Sequence, residues 1–171
     1  MIHRLKRGVI PDKPHTVFEV DGKLVLEHCF TRAGFESIYT ILWHREAPHW
    51  VESDEDLGRH PGWAEAAASE PLRRRHYLGE QQSPGGSPFL ARRLLFANAD
   101  IGVWLGRPNQ SEPTLVANAD GDELTFVHEG SGRIESPLGI VPFKKQDYVY
   151  VPQGLPHRWM LDRPAVLMTM E

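Results

Sequence analysis

The chain has 171 residues, 40% of them hydrophobic and 25% charged, with a formal net charge of −4. That length and apolar content suit one globular domain with a real core, and five Trp, seven Phe and four Tyr argue against disorder. The mild acidity argues against nucleic acid or an anionic membrane as the main partner. No apolar run approaches membrane-spanning length, and the N-terminus lacks the apolar core of a secretory signal. The single cysteine, Cys29, excludes an intrachain disulfide and a Cys-based zinc site. It reads as a small buried hydrophobe in a reducing, cytoplasmic setting.

Gly and Pro punctuate short apolar runs throughout, which is an all-β pattern. Residues 17–20, the pair Asp21-Gly22 and residues 24–31 predict a hairpin, because Asp-Gly suits a turn with positive φ at both central positions. The β-branched and aromatic run 37–44 predicts a strand. A long insertion at 45–75 holds the scarce helical signals, two turns over 62–68 and a turn capped from 53–56. A second irregular stretch spans 81–88. Strands are then expected at 93–97, 101–105, 123–129, 132–135, 139–142, 148–152, 157–161 and 165–170. The segment from Glu123 onward reads as a meander that turns at Gly130-Ser131-Gly132 and again at Ser136-Pro137. A sharp bend follows at Pro152-Gln153-Gly154.

This segment resembles the cupin superfamily. Glu123 followed by Gly130 fits the E-x6-G half of the first cupin motif. Asp147, Pro152, Gly154 and His157 fit the second, with Asp147 in place of its opening glycine. The resemblance implies a jelly-roll β-barrel. The two histidines of the first motif would fall at Val116 and Asn118 or at Ala117 and Ala119, and none of these is histidine. A remnant metal set of His157, Glu123 and Asn118 is left, short of the three good ligands such sites want. His128 lies an odd number of residues from Glu123 on one strand and so faces the other side of the sheet. The barrel is therefore expected to be metal-free.

A closer resemblance is carried by the order of Gly34-Phe35-Glu36-Ser37, Trp43-His44, Arg75-His76-Tyr77, Pro84-Gly85-Gly86, the run from Arg92 to Asp100 with its Phe96-x-Asn98-x-Asp100 element, Ile101-Gly102-Val103-Trp104, Arg107-Pro108 and Asn118-x-Asp120-Gly121-Asp122. From about Pro14 to the end, this order is similar to the N-terminal half of the bacterial homogentisate dioxygenase family. The family resemblance implies a two-barrel, oligomeric enzyme that cleaves the ring of homogentisate with O2 in tyrosine and phenylalanine breakdown. Its Fe(II) is held by two histidines and a glutamate of the C-terminal barrel, and its N-terminal barrel is metal-free. No iron ligand of the family maps onto this chain, so no catalytic or cofactor-binding residue is carried over. The implied partners are the catalytic C-terminal barrel and further copies of the chain, with no nucleic acid and no membrane.

Other candidates are weaker. His44 and His49 flank a strand end and would bind a metal only if they converge. His28, His60 and His76 carry no ligand spacing. Ser37, Ser83, Ser87 and Ser131 lack a nucleophile elbow, and Pro84-Gly85-Gly86-Ser87 lacks the ending of a phosphate loop. Arg73-Arg74-Arg75 reads as a solvated face, or else as an anion or interface site. Trp104, Tyr148, Tyr150 and Trp159 either fill the barrel or line its mouth for an aromatic ligand. The sequence thus predicts an all-β fold, a cupin-like jelly-roll barrel with long loops and one or two short helices. It forms one domain over 1–171, with an arm at about 1–15, the insertion at 45–75 and the barrel core at 93–171. The alternative to the scaffold half of a ring-cleaving enzyme is a free-standing single-domain cupin that binds a small ligand, aromatic or otherwise.

Overall fold

A computed structural model describes residues 18–31, 39–58, 73–74 and 76–171. The expected arm at 1–15, the helical stretch at 62–68, His60 and Arg75 lie outside these residues. The chain divides into two compact units, Met1–Asp56 and Leu57–Glu171.

The first unit is built from hairpins. Strands β1 (Glu19–Val20) and β2 (Lys23–Leu24) pair antiparallel, with Val20 opposite Lys23. The two-residue loop between them has φ of 54° at Asp21 and 73° at Gly22, the mirror-image turn that matches the twist of the flanking strands. Strand β3 (Leu26–Thr31) pairs with β4 (Tyr39–His44). Strand alternation puts His28 and Phe30 on one face of β3 and Cys29 on the other, where Cys29 is exposed rather than buried. The expected turn of helix at 53–56 is absent. Three carboxylates in that short acidic run repel one another, no apolar periodicity anchors it, and Gly58 turns away at φ 73°.

The second unit holds the barrel. Strands β5 (Arg92–Ala97), β6 (Gly102–Gly106), β7 (Glu123–Glu129), β10 (Tyr148–Val151) and β12 (Val166–Met170) form a sheet in the order β10-β7-β12-β6-β5. Strands β8 (Ser131–Ser136), β9 (Gly139–Lys144) and β11 (Arg158–Leu161) form a second sheet in the order β11-β8-β9. All pairings are antiparallel. Apart from the β8–β9 hairpin, the chain changes sheet at each connection from β7 to β12. The expected meander through Gly130 is therefore not a hairpin: β7 and β8 belong to different sheets. Gly130, at φ 108°, is the corner, and a Cβ there would lie 2.6 Å from the Cβ of Ala165. The fold is all-β, a cupin-like jelly roll. Among the described residues the helical content is one 3-10 turn at Gly79–Gln81.

Period-two alternation fills the space between the sheets. Val127, Ile134, Phe143, Trp159, Ala165 and Leu167 form the apolar core, with Phe143 and Trp159 packed edge to face at 5.0 Å. Toward the other end the inward positions turn polar. Thr125 and Thr169 share a buried hydroxyl–hydroxyl bond of 2.9 Å, and Glu123 follows two residues along β7.

A Cβ at Gly132 would stand 2.1 Å from the Met160 carbonyl oxygen across the β8–β11 pair. Gly132→Ala is expected to cost about 1–3 kcal/mol in urea unfolding, through backbone displacement rather than lost contacts. In the first unit, His28 Nδ1 and His44 Nε2 stand 3.3 Å apart. Burial, then the neighbouring His28, push the His44 ring below its ordinary value. A ring that resists protonation in the folded state stabilises the hairpin above the unfolded pKa of about 6.5, and this contribution is lost as pH falls from there. Amide protection factors across β3 and β4 should drop between pH 7.5 and 5.5, and His28→Gln should flatten that drop.

Candidate functional site

The polar end of the barrel opens into a cavity of about 630 Å³, lined in part by Arg92, Trp104, Asn118, Glu123, His157 and Glu171. Each side chain arrives there for a local reason. Glu123 opens β7 on the inward register shared with Thr125 and Val127, and is 3% exposed. Arg92 opens β5. Its side chain is 9% exposed, and its guanidinium reaches both carboxylate oxygens of Glu123, at 2.8 and 3.2 Å. The Phe89 ring lies 5.1 Å beneath the same guanidinium. Glu171 extends β12 by exchanging two backbone hydrogen bonds with Gly102.

Asn118 sits on the loop before β7. Its Oδ1 accepts from the backbone N–H groups of Asp120 and Gly121, which fixes the amide orientation. Its Nδ2 then donates to Glu123 at 3.2 Å and to Glu171 at 2.8 Å. The bend at 152–154 clamps this loop. Gly154, at φ 76°, donates its N–H to the Asn118 carbonyl, and Gln153 donates its backbone N–H to Asp122 Oδ1. His157 follows, bridged to Val116 by two backbone bonds of 2.8 Å. The His157 ring is 1% exposed, and its Nδ1 is 2.9 Å from the Leu155 carbonyl. A carbonyl only accepts, so Nδ1 carries the proton. Nε2 has no hydrogen-bond partner among the described residues.

The structure thus brings the remnant set of His157, Glu123 and Asn118 together, beside Val116, Ala117 and Ala119, the positions where the missing histidines would stand. The donor set does not fit a metal. Both Glu123 oxygens are held by Arg92, the ligating oxygen of Asn118 is held by two backbone N–H groups, and only His157 offers a free nitrogen. A guanidinium cation already sits where a divalent ion would need the carboxylate. Burial alone would raise the Glu123 carboxyl, but the Arg92 charge and hydrogen bonds, the Asn118 amide and His157 together outweigh it and hold the group below the ordinary carboxylate value. Among the described residues no three His, Cys, Asp or Glu side chains cluster as a metal site would need.

The remaining candidates are distributed elsewhere. His44 meets His28 across the hairpin, a diagonal pairing that a scan along the sequence toward His49 does not find. His128 is exposed on the outer face beside Phe126. Tyr148 and Tyr150 are about half exposed or more and lie outside the barrel, and Trp159 belongs to the core; of the four aromatics, Trp104 lines the cavity. Arg73 and Arg74 are exposed. Ser131 reaches Asp162 on the surface, and residues 84–87 form a loop whose Gly86 carbonyl accepts from Asn109 and Gln110. Sequence reasoning missed Arg92, excluded by one residue from its predicted strand, and Glu171. The alternation of Arg92 with the outward Arg93 is the signal that marks it.

No family model matches the chain. Over 173 aligned residues, covering the full chain, it is 29% identical to the "Putative dioxygenase" of Saccharolobus solfataricus. The chain spans 44% of that relative's length. Among solved structures it is similar to a cupin-2 domain protein from Shewanella frigidimarina, with 21% identity over 47% of this chain and 78% of that one, at a TM-score of 0.43. It is also similar to the hydroquinone 1,2-dioxygenase PnpCD, with 19% identity over 54% of this chain and 67% of that one, at a TM-score of 0.44. Among the described residues no helix is long and apolar enough to cross a membrane.

Removing Arg92 should expose how strongly the pair is coupled. Arg92→Met leaves a buried unpaired carboxylate and is expected to cost about 3–5 kcal/mol in urea unfolding. Arg92→Met combined with Glu123→Leu should recover most of that loss. Because the folded Glu123 pKa is depressed, its contribution is full above the unfolded value of about 4.5 and falls away as pH drops below it. The double variant should lack that acid-side loss.

Proposed function

We propose that the chain is the metal-free barrel of a two-barrel, ring-cleaving dioxygenase of the homogentisate dioxygenase type, acting as scaffold and assembly surface for a catalytic barrel. The observation that carries this reading is the bidentate Arg92–Glu123 pair. It places a guanidinium on the carboxylate that a metal-binding cupin would give to its ion. The full-length match to a relative more than twice as long, whose name is that of a dioxygenase, supports the two-barrel reading. Exposed apolar side chains support an assembly role. Phe96, Tyr148 and Tyr150 stand about half exposed or more on the five-stranded sheet, and Trp50 and Leu57 are more exposed still in the loop 45–58. On this reading the fold supplies no reacting group. Its chemistry is to hold a shape in which charge is internally neutralised, and cytoplasmic tyrosine and phenylalanine breakdown is the expected setting.

The test is O2 uptake by the purified 171-residue protein with homogentisate and Fe(II). Uptake no faster than in a protein-free blank is expected, with less than about 0.1 iron per chain retained after iron loading and desalting. Ring cleavage by the chain alone would overturn the scaffold reading, and stoichiometric iron would overturn the metal-free one.

A further inference from the structure

The cavity at the barrel mouth is more than the remnant of a metal site. Four of its polar side chains, Arg92, Asn118, Glu123 and Glu171, are engaged with one another. Asn118 has both ends engaged, Arg92 and Glu123 hold each other, and Glu171 accepts from Asn118. His157 Nε2, on a ring that is 1% exposed, lacks a hydrogen-bond partner among the described residues. A buried polar atom left unpaired carries a desolvation cost that a ligand can relieve. With Nδ1 donating to the Leu155 carbonyl, the ring in its neutral form presents a lone pair at Nε2 and asks for a donor.

The surroundings narrow the class of ligand. The lining side chains carry one guanidinium, Arg92, against the three carboxylates of Asp120, Glu123 and Glu171, so an anion is repelled. The guanidinium is held on Glu123 and offers an anion little compensation. The remaining walls come largely from Phe89, Trp104, Val116 and Ala117, which suit a flat apolar body and give little to solvate a buried ammonium. A volume of about 630 Å³ is ample for a one- or two-ring molecule.

We infer that the barrel mouth is a binding site for an uncharged, hydroxyl-bearing aromatic molecule, whose O–H donates to His157 Nε2. Charge separates this class from an aromatic carboxylate such as homogentisate, so the site is distinct in chemistry from the ring-cleavage substrate of the proposed function and does not depend on that reading.

The experiment uses the intact chain labelled with 15N-histidine at pH 7.5 and three probes of one ring system: 2-naphthol, 2-naphthoate and 2-naphthylmethylamine. Saturable binding of 2-naphthol with Kd on the order of 1 mM or tighter is expected, with a shift of the His157 Nε2 resonance that tracks occupancy. The carboxylate and the amine should each bind at least about tenfold more weakly. His157→Phe should weaken 2-naphthol about tenfold or more, the loss of one hydrogen bond to a buried acceptor. The resonance shift in the unmodified protein reports independently if that variant does not fold. The inference is overturned if 2-naphthol does not saturate, if it binds without moving the His157 resonance, or if either charged probe binds as tightly. Failure here leaves the O2-uptake result untouched, and ring cleavage there leaves this binding result untouched.

Discussion

A buried ion pair organises the open end of the barrel. Glu123 is almost fully removed from water, and a carboxylate in that position is tolerable only with a partner of matching geometry. Arg92 provides it, with two N–H groups on two oxygens from the first residue of β5. The pair joins strands that are not neighbours in the sheet, because β12 and β6 lie between β7 and β5. Its requirement for fixed geometry therefore reaches across four strands. The Asn118 amide adds a third bond to the carboxylate and links it to Glu171, so β12 is included as well.

The same pair sets the chemistry of the cavity. In a metal-binding barrel the carboxylate at this place neutralises an ion. Here a side chain of the protein neutralises it, and that cation cannot exchange or open coordination positions. What remains is a preformed, mildly acidic pocket lined by the buried His157 ring. The bend at 152–154 also shapes the pocket, since its backbone holds the loop that carries Asn118 and leads directly to His157.

Much of this was legible from the residues. The Asp21-Gly22 turn, the strand at 123–129 and the strands around it follow from period-two alternation and turn chemistry, which are local properties. The spacing from Glu123 through Gly154 to His157 also placed the site residues in one neighbourhood, because the second motif is a single bend between two strands. Connections were less legible. The corner at Gly130 looks like a hairpin turn, but a close approach to Ala165 requires the glycine there, and the next strand joins the other sheet. Cys29 looked buried by residue type and is exposed by strand parity.

The sequence by itself determined an all-β chain, the approximate places of its barrel strands and the absence of histidine at positions 116–119, since each depends on residue type at short spacing. Only the tertiary structure decided what Glu123 meets instead. Arg92 lies 31 positions from Glu123, and Glu171 lies 53 positions from Asn118. No local rule couples residues at such separations. Those partners meet because five strands stack in one order, and the free energy of burying Glu123 then selects the cation that accompanies it.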